Sequence, residues 1–243
     1  MTTLGGFLAV AAIIMFFAAF RKLIEARSFQ FFGSIVHRVD VRKKIVALTF
    51  DDGPNPPFTD QILEALREHK AHATFFILGC RLERHPSVAQ RAVAEGHEVG
   101  NHSYSHSYLL LRPPSTIKRE IQRADDAMEA LGLGRPHLFR PPFGKKLFIL
   151  PFYLKKMGKT TVMCDADSGG AEFKSRDAAQ IRDRILRKIR PGSIIMLHDG
   201  GGDKAHIVET VRLLLQSLTQ QGYSVSTVSA LLREGGRGIA GAR

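Results

Sequence analysis

Two histidines four residues apart, His102 and His106, give this sequence its clearest indication of metal chemistry. On one side of a helical turn, this spacing allows both imidazoles to reach a single ion. Two imidazoles and one carboxylate, with coordination positions left for water, are typical of a catalytic rather than a structural metal site. Asp52, at the end of a strand-like apolar run, would complete such a set.

A second carboxylate, Asp51, directly precedes Asp52, and the turn-forming pair Gly53-Pro54 follows. Two adjacent carboxylates need a cation or a basic partner to be stable. A turn capped by an Asp side chain would explain the same residues without any chemistry. Arg140 lies just before two prolines, so it is either a clamp for a carboxylate or a surface arginine beside a turn.

The apolar run Ile194–Leu197 leads directly to His198 and Asp199, and three glycines follow at 200–202. Glycines between a strand and a helix can hold a phosphate group. No lysine-serine signature follows them, which makes a phosphate site a weak interpretation here.

From Lys44 onward, strand-like and helix-like segments alternate. We expect strands at Ile45–Phe50, Ala73–Leu78, Glu98–Asn101, Leu138–Arg140, Thr160–Cys164, Ser193–Leu197 and Ser224–Val228, and helices at Phe58–His69, Ser87–Glu95, Ser115–Leu131, Leu147–Met157, Ala178–Ile189 and Ala205–Gln221. Repeated β-then-α units predict a parallel sheet in a closed or nearly closed α/β barrel. The polar clusters all follow strands, so they should meet at the carboxyl ends of the strands, where such barrels build active sites.

In this order, the segments Thr49–Pro54, His102–His106, Arg140–Phe143 and Leu197–Asp199 closely resemble the polysaccharide deacetylases of the NodB-homology family, carbohydrate esterase family 4. The resemblance covers about residues 44–232. It implies a distorted (β/α) barrel, a divalent ion and removal of N-linked acyl groups from amino sugars. The ion would be zinc, with cobalt, nickel or manganese as alternatives.

The resemblance also implies a role for each site residue. Asp51 would be the catalytic base, while Asp52, His102 and His106 would bind the metal. Arg140 would hold Asp51 ionised, and the backbone N–H of Phe143 would stabilise the oxyanion. His198 would be the general acid, and Asp167 would orient it.

The fourth cluster, Cys164–Gly170, departs from the family pattern. The family usually shows an Asp and then a second Asp followed by Trp. Asp167-Ser168 matches the first part, but the chain contains no tryptophan. The indole wall near the acyl methyl is therefore lost, and the identity of the substrate is in question more than the chemistry.

The N-terminal run Leu4–Phe20 carries no charge and is at the short end of what spans a bilayer. We expect an uncleaved single-pass membrane anchor, with a cleaved signal or a buried helix as alternatives. Basic flanks favour a cytoplasmic catalytic domain, whereas the family resemblance favours the cell surface. The predicted organisation is an anchor with its basic flank at 1–27, a linker at 28–43, a catalytic domain at 44–234 and a flexible tail at 235–243.

The formal charge of +12 suits an anionic partner such as an acidic wall polymer. No nucleic-acid module is recognisable, and no protein partner is inferred. The sequence therefore predicts a hydrolase of acylated amino sugars in a glycan. The alternatives are a deacylase, either deacetylase or deformylase, of a lipid-linked sugar and an inactive carbohydrate-binding module.

Overall fold

The structure is a computed structural model that describes residues 2–236, with side chains from residue 10 onward. Within these residues, nine strands form one parallel sheet. The strands are β1 Ile35–Val36, β2 Ile45–Asp51, β3 Thr74–Ile77, β4 Glu98–Asn101, β5 Leu138–Phe139, β6 Thr160–Val162, β7 Ala166–Asp167, β8 Ile194–His198 and β9 Ser224–Ser226. Their order across the sheet is β1-β6-β5-β4-β3-β2-β8-β7, and β9 also pairs with β2.

Helices follow most of the strands. They are α1 Thr2–Ile24, α2 Phe58–Glu68, α3 Gly79–Leu82, α4 Pro86–Ala94, α5 Pro114–Ala130, α6 Ile149–Lys156, α7 Ala171–Lys174, α8 Ala178–Leu186, α9 Ala205–Gln220 and α10 Val228–Glu234, with a 3-10 turn at Pro142–Gly144.

The alternation of side chains along β2 separates the core from the site. Val46, Leu48 and Phe50 pack into the large apolar cluster between the sheet and its helices. Successive side chains of a strand point to opposite faces, so Thr49 and Asp51 lie on the inner face of the curled sheet. The strand therefore carries a polar group to its carboxyl end without interrupting the core.

The parallel α/β architecture that we predicted is confirmed, and so is the placement of most long strands and helices. The sheet is a curled half-barrel, because β1 and β7, at the two ends of its strand order, are not paired with each other within residues 2–236. The predicted linker at 28–43 contains β1, which pairs with β6. β1 and β7, of two residues each, were not predicted because neither is long enough to show alternation, whereas β5, of the same length, was predicted as Leu138–Arg140.

The predicted single-pass membrane localisation is wrong. The run Leu4–Phe20 lies in α1, but none of the helices in the described part of the chain combines the length and apolar content needed to cross a bilayer. The run was already at the lower length limit for such a span, and charged residues, Arg21 and Lys22, occupy the last turn of α1. Of the predicted tail at 235–243, residues 237–243 lie outside the described part.

Candidate active site

Asp52, His102 and His106 converge at the carboxyl ends of β2 and β4. One potential ligand atom from each lies within 4.8 Å of those of the other two. Asp52 Oδ1 is 3.4 Å from His102 Nε2 and 3.3 Å from His106 Nε2. The structure thus brings together the three residues that the sequence suggested as metal ligands.

The local backbone explains how two histidines reach one point. Residues 102–109 form a loop after β4 and not the helical turn on which we based the spacing argument. Ser103 and His106 have positive φ values of 70° and 58°, which turn the loop back on itself. The ring centroids of His102 and His106 are consequently 5.1 Å apart.

The polar atoms of this cluster fit a cation. Asp52 Oδ1 is buried and has no hydrogen-bond partner, although a buried carboxylate oxygen normally has one. His102 Nδ1 is 2.7 Å from the carbonyl oxygen of Arg140, so Nδ1–H donates there and the lone pair of Nε2 faces Asp52. Burial would raise the pKa of Asp52, but His102, His198 and His106 hold it well below its usual range.

Asp51 and Arg140 form a buried ion pair beside this cluster. Arg140 Nη1 donates to Asp51 Oδ1 at 2.7 Å, and only 2% of either residue is exposed. The same nitrogen donates to Thr49 Oγ1 at 2.7 Å, and the guanidinium lies 4.1 Å from the ring centroid of Phe76. A buried ion pair with this many partners is fixed in position. The other carboxylate oxygen of Asp51, Oδ2, is therefore left on the side of the cleft.

His198 enters the site from β8, which neighbours β2. Its register partner on β2 is Asp51, so the two side chains stand at the same level of the sheet. His198 Nδ1 lies 3.2 Å from Glu172 Oε2. The two atoms are close enough for an ion pair, but they do not form a well-aligned hydrogen bond. Burial would lower the pKa of His198, but Glu172, followed by Asp51 and Asp52, raises it to about 9.

The resemblance implied that Asp167 orients His198, but the structure gives Asp167 other partners. Its carboxylate lies 2.6 Å from Arg27 Nη2 and 2.5 Å from Lys188 Nζ, and it accepts the backbone N–H of Gly169 at 2.8 Å. Although burial would raise the pKa of Asp167, these contacts lower it to about 2. The carboxylate beside His198 is that of Glu172.

Sequence reasoning missed Glu172, although the chain contains a signal for it. The family pattern leads one to expect an acidic residue followed by an aromatic one. Glu172-Phe173 is such a pair, displaced along the chain from that position. The rings of Phe173 and His198 form a T-shaped contact with centroids 4.9 Å apart.

Phe143 lies at the rim of the cleft. We predicted its backbone N–H as the donor to the oxyanion. Its φ is 58°, a conformation that costs free energy in a residue other than glycine and that is found at functional sites. Its ring contacts that of His106 at a centroid distance of 4.5 Å.

One cleft of about 590 Å³, enough for a sugar unit, is lined by Asp51, Asp52, His102, His106, Arg140, Phe143, Phe173 and His198, whereas Asp167 and Glu172 are not among its lining residues. Its walls also include Glu25 and Arg27, residues of the N-terminal segment that sequence reasoning did not associate with the site. Arg27 is held against the wall by Asp167 and by the carbonyl oxygen of Cys164.

Comparisons with known proteins agree with this geometry. Residues 38–162 match the family model described as polysaccharide deacetylase. The chain is 35% identical over 201 residues to a peptidoglycan-N-acetylglucosamine deacetylase of Bacillus cereus, covering 83% of this chain and 94% of the relative. It is 38% identical to the peptidoglycan-N-acetylmuramic acid deacetylase PdaC of Bacillus subtilis, covering 79% of this chain and 40% of the relative.

A crystal structure of a peptidoglycan N-acetylglucosamine deacetylase superimposes with a TM-score of 0.78 at 29% identity, covering 84% of this chain and 93% of that one. The chain thus belongs to the polysaccharide deacetylase family, carbohydrate esterase family 4, and is a hydrolase of carbon–nitrogen bonds other than peptide bonds.

Proposed function

We propose that this protein removes N-acetyl groups from the amino sugars of a peptidoglycan-like wall polymer, with a divalent ion held by Asp52, His102 and His106. The observation that carries the proposal is the meeting of these three side chains beside the buried Asp51–Arg140 pair, in the cleft that His198 also lines. The two relatives described above are named for deacetylation of two different amino sugars of peptidoglycan, which supports the polymer and leaves either sugar as the substrate.

Two imidazole nitrogens and one carboxylate oxygen suit zinc, and they also suit cobalt, nickel or manganese. When bound, such an ion polarises the acyl oxygen and makes water more acidic, which provides a nucleophile near neutral pH.

Asp51 is the base in this proposal. Its Oδ1 is engaged by Arg140 and its Oδ2 lies 3.9 Å from His102 Nε2, so Oδ2 remains next to the metal ligands. Arg140 holds the Asp51 carboxylate in place, and an ionised carboxylate at this position can take a proton from the attacking water.

Cleavage needs a second proton transfer. The water oxygen bonds to the acyl carbon, the carbon–nitrogen bond breaks, and the products are acetate and the free amine. Because an amine leaves poorly without a proton, His198 donates one to the departing nitrogen. The backbone N–H of Phe143 is the proposed donor to the oxygen that becomes negatively charged, and each such donor contributes about 3 kcal/mol to catalysis.

The proposal is tested with the full chain and N-acetylated peptidoglycan oligosaccharides. Mass spectrometry should show a loss of about 42 Da for each acetyl group removed, because a hydrogen replaces the acetyl group. A chelator should abolish this change and added zinc or cobalt should restore it, whereas Asp51→Asn should lower turnover on the order of 100- to 10,000-fold. Full activity in Asp51→Asn, or deacetylation that persists in the presence of chelator, would contradict the mechanism.

A further inference from the structure

Arg27 lines the active-site cleft, although it belongs to the segment between α1 and β1. Two contacts hold this segment to the residues that follow the 3-10 turn. The backbone N–H of Lys146 donates to the carbonyl oxygen of Ile24 at 3.2 Å, and Lys146 Nζ donates to that of Ala26. Lys146 and Ile24 are both buried, so the segment is packed against the body of the protein and forms a fixed wall of the cleft.

The guanidinium of Arg27 is held on one side and open on the other. Nη1 donates to the carbonyl oxygen of Cys164 at 3.2 Å and contacts its Sγ at 3.6 Å, while Nη2 lies 2.6 Å from Asp167 Oδ2. A guanidinium has five N–H donors, and among the described residues these three contacts leave at least two of them unused. Since 46% of the Arg27 side chain is exposed, these donors are available to a group that enters the cleft.

The Asp167 carboxylate does not cancel the charge of Arg27. It is shared between Arg27, at 2.6 Å, and Lys188, at 2.5 Å. One negative charge thus faces two positive charges, and the surplus is positive. A cleft bounded by protein concentrates the field of such a surplus, which attracts anions.

The other charged residue that this segment brings to the cleft is Glu25. Its carboxylate is likewise shared between two cations, Arg21 at 3.4 Å and Lys145 at 3.9 Å. Glu25 therefore does not offset the surplus at Arg27, and this wall of the cleft is positive as a whole.

Arg27 also lies next to the reacting groups. Arg140 Nη2 donates to the carbonyl oxygen of Met163 at 3.4 Å, and Arg27 donates to the carbonyl oxygen of the next residue, Cys164. Consecutive Cα atoms are about 3.8 Å apart, so the two guanidinium groups contact neighbouring points of one segment. An arginine at this place faces either the sugar unit whose acyl group lies beside Asp51 or the adjacent unit of the same polymer.

Building on the deacetylation proposed above, we propose that Arg27 binds a carboxylate on the acylated sugar or on its neighbour in the polymer, so that the protein prefers acidic amino-sugar substrates. The planar guanidinium matches a carboxylate, and charge-assisted hydrogen bonds of this kind are stronger than those between neutral groups. Because this carboxylate is not the group that reacts, Arg27 should contribute to binding more than to the chemical step.

The test compares two ligands that differ in one kind of group. One is a peptidoglycan oligosaccharide without peptide stems, whose N-acetylmuramic acid carboxylates are free, and the other is the same oligosaccharide with these carboxylates converted to methylamides. Binding is measured by titration calorimetry in the full chain carrying Asp51→Asn, because slow turnover leaves both ligands intact. This protein should bind the free acid on the order of 10-fold more tightly than the amide. Adding Arg27→Gln should remove the preference and leave the affinity for the amide within about twofold.

The matched control is Lys188→Gln. It removes one positive charge from the same Asp167 carboxylate, but Lys188 is not among the residues that line the cleft. This variant should keep the preference for the free acid. Arg27→Met keeps an unbranched stem against the wall and should behave as Arg27→Gln does, which provides a second variant if the first is unstable. With Asp51 intact, Arg27→Gln should raise KM for the free acid on the order of 10-fold and change kcat by less than about threefold.

Three results would overturn the inference. The Asp51→Asn chain could bind both ligands equally, or the Arg27 variants could lose affinity equally for both, which would give Arg27 a purely structural role. Loss of the preference in Lys188→Gln would attribute it to overall charge. A chain with Asp51 intact that prefers the free acid but releases no acetate would reject the proposed function and leave the role of Arg27 standing.

Discussion

At the scale of single residues, the site depends on three carboxylates that have different partners. Asp51 is paired with Arg140, Asp52 with imidazoles, and Glu172 with His198. Each carboxylate therefore has a cationic or potentially cationic partner. These different partners suit the three carboxylates to the different roles that we propose for them.

The protonation of His198 gives a pH prediction. Burial lowers its pKa, but Glu172 on α7, with Asp51 and Asp52 on and after β2, raises it to about 9. The donor is protonated below that pH and loses its proton above it, so kcat should fall as the pH rises through about 9.

The matched measurement is the kcat–pH profile of Glu172→Gln. Removal of the carboxylate removes the largest effect that opposes burial, so the descending limb should move to lower pH. If kcat falls with the same midpoint pH in both proteins, a group other than His198 controls this fall.

Residue types and spacing were enough to predict as neighbours the site residues Asp51, Asp52, His102, His106, Arg140 and His198, because each lies at or after the carboxyl end of a strand in a parallel sheet. The geometric reason that we gave for the histidine pair was wrong, since a loop with positive φ values replaces the helical turn. The partner of His198 was missed because, in the fourth cluster, we matched only Asp167-Ser168 to the family pattern. The acidic and aromatic pair Glu172-Phe173 lies beyond that match.

At the scale of elements, one glycine links the packing of the inner face to the site. A Cβ added at Gly100 on β4 would lie 2.6 Å from two ring atoms of Phe76 on β3. The ring of Phe76 is fully buried, and the guanidinium of Arg140 stacks on it. Gly100 thus provides the space that positions Arg140 against Asp51.

Gly100→Ala should therefore reduce both stability and turnover. We expect a loss of about 1–3 kcal/mol in the free energy of unfolding, measured in urea, because the buried ring has to move. Phe76→Leu in the same chain should recover a large part of that loss by making room for the methyl group. A Gly100→Ala protein as stable and as active as the wild type would contradict this account of the inner face.

Element prediction succeeded where a segment was long and periodic. The strand Glu98–Asn101 has the bounds that we predicted, and helices such as α5 and α9 lie within about a residue of their predicted ends. It failed for β1 and β7, whose two residues give no pattern. The segment that ends in Arg27 was predicted only as a membrane anchor and its flank, because its place on the cleft wall depends on pairing with Asp167.

At the scale of the whole molecule, the site is assembled from distant parts of the chain. Asp52 and His102 are separated by α2, β3, α3, α4 and β4, and His198 enters from β8. The parallel sheet brings them together because every strand ends at the same edge. The formal charge of +12 gives the molecule a general attraction for acidic polymers.

The metal content of purified variants tests the central claim most directly. By mass spectrometry of the bound metal, the wild type and Asp51→Asn should each carry about one divalent ion per chain, because Asp51 is not a ligand in this account. His102→Ala should carry almost none, since it removes one of three ligands. Full metal occupancy in His102→Ala would contradict the assignment of Asp52, His102 and His106 as the metal site.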